Sequence, residues 1–265
     1  MKLVSIIITF VCASVLSASA TIVHIDHDMS TADGWDVAEA KNNAALGVGN
    51  DDPLDPSRSV HYNAGAIGSG GAHRLVMDND FSGNPVEFQT NPNMSLDITM
   101  RMTDVVPKNH AGLLIQLWGN QGGVLGENSF SYFTATARHN GNFKFKVYRK
   151  DALGNNDLVV NIGSVQAFPT DEYFTLSFNR EAGGRWTMSR SDTGETFIDT
   201  TETALITSSE ISFLRFRNEN RSVGYTGIPT YFDHVDLTSI PEPASVLLVA
   251  LGAGVMLRWR RQMPR

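Results

Sequence analysis

Three aspartates, Asp26, Asp28 and Asp233, and two aromatic residues, Trp118 and Tyr225, are the side chains of this sequence best suited to binding chemistry. Carboxylate oxygens together with backbone carbonyls are the ligand set that Ca²⁺ prefers, and Asp26-His27-Asp28 supplies two carboxylates in three residues. Trp118 ends an apolar stretch just before Asn120-Gln121-Gly122-Gly123, and Tyr225 sits between Gly224 and Gly227. Flat aromatic faces of this kind stack on sugar rings, and a core position for either ring is the competing reading. Asp51-Asp52 with Asp55, and Asp78-Asn79-Asp80, are oxygen-rich too, but lack the spacing of a calcium loop and read as turns.

Catalytic constellations are harder to find. Glycoside hydrolysis needs two carboxylates on one face, and the nearest approach is Glu195, Asp199 and Glu202, whose spacing fits only if the strand bulges before Glu202. The seven histidines include no close helical pair of the metalloprotease type, and His24 and His27, three apart on a strand, point to opposite faces. Gly68-Ser69-Gly70-Gly71 is a flexible loop without the strand-to-helix setting of a nucleophile elbow. The sequence therefore argues for a non-enzymatic domain.

The elements that must position these residues have a period of two. Met94, Leu96, Ile98, Met100 and Met102 alternate with Ser95, Asp97, Thr99 and Arg101, which places the apolar set on one face of a long strand. Residues 112–118 (GLLIQLW) read as a central strand, and 130–138 and 142–150 flank Asn140-Gly141, a strong hairpin signal. Further strands are expected at 158–162, 173–179, 185–190, 195–200, 211–217 and 230–238, separated by turns such as Gly183-Gly184 and Asp192-Thr193-Gly194. Trp35 and Trp186 are expected in the core, and Arg215 and Arg217, which alternate with Phe216, either face solvent, the preferred reading, or line a groove. Many strands and no convincing amphipathic helix predict an all-β, antiparallel two-sheet sandwich of the jelly-roll kind.

Both ends of the chain read as addresses rather than as fold. Lys2, an apolar run from Leu3 to Leu16 and Ala18-Ser19-Ala20 make a secretory signal peptide over residues 1–20, with the exported domain at 21–239. The sole cysteine, Cys12, lies in that leader, so the domain has neither disulfide nor thiolate chemistry. Residues 240–265 hold Pro241-Glu242-Pro243, an apolar run from Ala244 to Leu257, and Arg258, Arg260 and Arg261. The prolines break regular structure, the run is a membrane helix, and the arginines mark its cytoplasmic side. At 14 residues the run is shorter than the roughly 17 to 25 that span a bilayer unaided, which suits a temporary tether.

Setting aside Lys2, Glu242, Arg258, Arg260, Arg261 and Arg265 leaves 16 basic and 27 acidic residues in the domain, a net charge of −11. Nucleic acids and anionic lipid surfaces are bound through basic patches, so neither is an expected partner.

The order tripeptide, apolar run and arginine cluster resembles the C-terminal signal of PEP-CTERM proteins, across about 25 of the 265 residues. The resemblance implies an exosortase-type membrane enzyme as partner, and export to the surface or polysaccharide matrix of a Gram-negative-type bacterium. Asp26-His27-Asp28 with Asp33-Gly34-Trp35, and residues 231–237 (YFDHVDL), resemble the first and last segments of concanavalin A-like and galactose-binding-like carbohydrate modules. That resemblance implies neighbouring first and last strands, which would bring Asp26, Asp28 and Asp233 together around a structural Ca²⁺; the competing reading is a solvated acidic strand end. It also implies carbohydrate binding. A structural matrix or coat protein without a discrete ligand, and a polysaccharide hydrolase or lyase, are the alternatives.

Overall fold

The computed structural model describes residues 20–41, 44–48, 60–64, 73–87, 93–102, 111–119, 130–138, 142–150, 156–164, 169, 172–181, 185–198, 210–220 and 230–241. The leader before Ala20, Tyr225, and the tail from Glu242 onward, including Pro243, Arg258, Arg260 and Arg261, lie outside these residues. So does the expected membrane helix, and among the described residues no helix is long and apolar enough to cross a membrane.

Among the described residues seventeen strands follow in chain order: β1 (Ile22–His27), β2 (Trp35–Lys41), β3 (Ala44–Val48), β4 (Val60–Ala64), β5 (His73–Asp80), β6 (Val86–Glu87), β7 (Asn93–Met102), β8 (Ala111–Gly119), β9 (Phe130–Arg138), β10 (Asn142–Lys150), β11 (Asn156–Ser164), β12 (Phe174–Arg180), β13 (Trp186–Arg190), β14 (Thr196–Ile198), β15 (Glu210–Ile211), β16 (Phe213–Asn220) and β17 (Thr230–Ile240). They form two large antiparallel sheets. One has eight strands in the order β14-β13-β12-β7-β17-β4-β3, with β1 also paired to β17; the other has seven, in the order β11-β10-β9-β8-β16-β5-β2. A two-stranded ribbon, β15-β6, completes the set.

The alternating apolar residues close the space between the sheets. Leu96, Ile98 and Met100 of β7, Leu176 and Phe178 of β12, and Leu237 of β17 come from the eight-stranded sheet and are fully buried. They share one core with Leu113, Ile115 and Leu117 of β8 and Leu214 and Phe216 of β16 from the other sheet. Across the interface the Phe216 and Phe232 rings stack with centroids 4.3 Å apart, and Trp35 stacks on Phe216 at 5.0 Å. Trp35 and Trp186 are core residues, as expected. Burial of each such ring contributes about 2–3 kcal/mol of transfer free energy.

Three expectations are corrected. Asp78-Asn79-Asp80 is the end of β5, not a turn. Arg215 is not on a freely solvated face, because it forms a two-pronged ion pair with the buried Asp78. Glu195 precedes β14 rather than opening it, and Glu195 N–H bonds to Thr193 Oγ1 within the turn. Asp199 and Glu202 lie outside the described residues.

Candidate functional site

First and last strands are neighbours. β1 pairs antiparallel with β17, Asp26 opposite Asp236 and His27 opposite Val235. This juxtaposition does not gather the three expected calcium ligands. Asp28 Oδ1 accepts hydrogen bonds from Ser30 N–H (3.0 Å) and Ser30 Oγ (2.7 Å), which ties its carboxylate into the turn after β1. Asp233 lies where β17 slips register against β7, between Phe232 and His234. Among the described residues no three histidine, aspartate or glutamate side chains form a group fit for a metal ion.

Asp26 instead belongs to a row of carboxylates. Asp236 stands between Asp26 on β1 and Asp97 on β7, each its direct cross-strand partner. Burial and the charges of Asp97 and Asp26 push the Asp236 carboxyl above the ordinary aspartate range, with His234 pulling the other way. His234 Nε2 lies 3.7 Å from Asp26 Oδ1. The rest of this outer face is made of short polar groups: Ser95 and Thr99 on β7, Thr175, Ser177 and Asn179 on β12, and Thr187 and Ser189 on β13 are all half-buried. Thr99 Oγ1 and Thr175 Oγ1 are 2.9 Å apart.

The outer face of the seven-stranded sheet is built differently. Phe216 pairs with Met77 and with Ile115 in a row of core residues, so the next row, Asp78, Arg215 and Gln116, points away from the core. Those outward side chains are nevertheless withdrawn from water: Asp78 is 6% exposed, Gln116 8%, and on the same face Val76 and Phe213 are buried. Arg215 Nε and an Nη donate to the two Asp78 oxygens, both at 2.7 Å. Such a planar, paired arrangement fixes the orientation of the guanidinium.

The same cross-strand row extends to Asp36 on β2 and, through backbone pairing, to Thr134, Lys146 and Asn161 on β9, β10 and β11. Trp118 occupies a register position opposite Phe213, at the end of β8. The grouping of Asp78, Arg215 and Gln116 was not legible in the sequence because the three lie in strands far apart in the chain. The only local signal was Arg215-Phe216-Arg217, an alternation of charge and core.

Comparison with known proteins adds the following. Residues 239–261 match the PEP-CTERM protein-sorting motif. No curated protein matches the sequence. Among solved structures, the chain is similar to an endo-beta-1,4-glucuronan lyase from the fungus Trichoderma reesei (11% identity, 82% of this chain and 95% of that one, TM-score 0.57). It is similar as well to the CBM2 module of the evolved Dit of Lactobacillus casei phage J-1 (11% identity, 84% and 97%, TM-score 0.55). A third is the carbohydrate recognition domain of Emp47p (8% identity, 84% and 98%, TM-score 0.54). At these identities the likeness is one of fold. The chain is thus a two-sheet β-sandwich, of the fold found in lectin-like domains, that carries the PEP-CTERM protein-sorting motif at residues 239–261.

Proposed function

We propose that this protein is exported, handed through Pro241-Glu242-Pro243 to an exosortase-type membrane enzyme, and released into a bacterial polysaccharide matrix, where its sandwich binds carbohydrate without turning it over. The sorting step is supported by the motif at 239–261. The observation that carries the binding reading is the row Asp78, Arg215 and Gln116. These polar side chains face away from the core yet lie largely out of solvent, as the floor of a polar recess does. An oriented guanidinium and an amide supply donors and an acceptor for sugar hydroxyls. Trp118, two positions beyond Gln116 in β8, remains the proposed stacking residue, and Tyr225 a second. The jelly-roll reading of the connectivity belongs to the same proposal.

Calcium at Asp26, Asp28 and Asp233 is not part of it, since these carboxylates do not fit one ion. One observation favours the enzymatic alternative. Asp36 is the cross-strand partner of Asp78, which puts two carboxylates side by side at the edge of the face. Asp78, however, gives both oxygens to Arg215, so it is not offered as a nucleophile or proton donor.

The test is a glycan-binding screen of the chain recovered from the matrix, beside its Gln116→Ala variant. Binding to a polymer that weakens about tenfold in the variant, compared at a temperature where both chains are folded, is expected for loss of one or two buried hydrogen bonds to the ligand. Absence of any bound glycan sinks the binding reading and favours the matrix scaffold. New reducing ends that vanish with Asp36→Asn would establish the hydrolase.

A further inference from the structure

The junction between the sandwich and the sorting motif is held by a side chain from the opposite end of the chain. Val23 pairs with Thr238 and Ile22 with Ser239, so the first strand covers the last one up to its final turn of register. His24 sits at the bulge in that pairing, between Val23 and Ile25. Its Nδ1 lies 2.6 Å from the Asn84 carbonyl oxygen, and its Nε2 lies 2.7 Å from Ser239 Oγ. A carbonyl only accepts, so Nδ1 carries the proton and donates. Burial lowers the His24 pKa, which favours the neutral ring, and Nε2 then accepts from the Ser239 hydroxyl. The Asn84 side-chain amide completes the loop by donating to the Val23 carbonyl at 2.8 Å. One imidazole thus ties together β1, the turn after β5 and the end of β17.

The position of this clamp gives it a consequence for sorting. Ser239 is two residues before Pro241, and the apolar run begins at Ala244. Pro241, Glu242 and Pro243 together span at most about 11 Å when fully extended. While the run is in the membrane, the end of the sandwich bearing His24, Asn84 and Ile240 must therefore lie against the membrane enzyme that reads the tripeptide. Two of the exposed large apolar residues, Val23 (50%) and Ile240 (43%), are at this end. A frayed end of β17 would lengthen the tether and let the tripeptide wander; a clamped end fixes it relative to the folded domain.

We propose that His24 is a positioning residue for processing of the tail: by bridging Asn84 and Ser239 it holds β17 closed to Ile240, so that a folded sandwich presents Pro241-Glu242-Pro243 at a set distance from the membrane. The proposal rests on the sorting reading above and makes the N-terminal strand a requirement for cutting the C-terminal tail.

The test uses the full chain in cells that process it, and reads the fraction of exported protein that has lost the tail, by mass. Replacing Pro241, Glu242 and Pro243 by alanine is the control for the sorting reading itself. His24→Ala and Ser239→Ala are expected to lower the cut fraction by about fivefold, the scale of one lost buried hydrogen bond. His24→Gln, whose amide can donate to Asn84 and accept from Ser239, is expected to restore most of it. A flexible Gly-Ser spacer of about six residues inserted after Ile240 separates positioning from folding. With the tether loosened, His24→Ala should have no further effect if it acts by positioning. Equal cutting of His24→Ala and the parent overturns the clamp while leaving the sorting reading intact. So does a loss in His24→Ala that persists behind the spacer, since that loss would come from unfolding. Normal cutting of the alanine-tripeptide control overturns the sorting reading instead.

Discussion

Asp236 shows how a single side chain reports on the face it occupies. It is flanked on both sides by carboxylates, Asp26 and Asp97, and its pKa is raised by burial first and by these two charges next. A raised folded pKa means that the protonated form suits the fold, so the associated stability is full below the unfolded value near 3.8 and is lost as pH rises through the folded value. Asp236→Asn should therefore raise the melting temperature at pH 7. The scale is that of a cross-strand like-charge pair, below about 1 kcal/mol and weakened by salt because the site is mostly solvated. At pH 3 the variant and parent should melt together; a variant less stable at pH 7 would contradict the carboxylate row.

His24 has the opposite sign. Its pKa is lowered from 6.5, so its contribution is present above that value and is lost as pH falls below it toward the folded pKa. Relative to His24→Gln, the parent should lose thermal stability on acidification below about pH 6.5. A buried pair gives a larger effect: Arg190 is 1% exposed and its guanidinium donates to both oxygens of Asp192. Asp192→Ala leaves that cation buried, and a loss of about 3–5 kcal/mol, seen as a lower denaturation midpoint, is expected. A change under about 1 kcal/mol would show that other neighbours hold Arg190.

At the scale of elements, the strands that could be read locally are those with one face in the core and one outside. β7 is the clearest case, since Leu96, Ile98 and Met100 are fully buried while Ser95, Asp97 and Thr99 between them are only half-buried. The neighbourhood of β1 and β17 was likewise legible through family resemblance. What stayed illegible was β2 to β5. Residues 44–48 (AALGV) have no alternation, and 60–64 (VHYNA) alternate over only five residues. β5 ends in three residues that locally favour a turn, and Asp78 is held in the strand by Arg215, 137 positions away. Local pattern carries no information about such a partner, and the candidate site depends on it. Gly34, with φ +79°, opens β2 in the left-handed region, so Gly34→Ala should cost about 1 kcal/mol. Unchanged stability would mean that the turn relaxes.

For the whole molecule, the start of β1 and the end of β17 lie side by side at one end of the fold. β1 and β17, the strand that leads into the sorting motif, are hydrogen-bonded neighbours. The two outer faces differ: one carries short hydroxyl and carboxylate groups that are half-buried, the other the Asp78–Arg215 ion pair with Gln116. The measurement that tests the account most directly is the mass and location of the exported protein when Pro241, Glu242 and Pro243 are replaced by alanine. The expected result is an uncut, membrane-held chain with a normally folded sandwich. An alanine variant reaching the matrix in normal amount, at the mass of the processed parent, would contradict it.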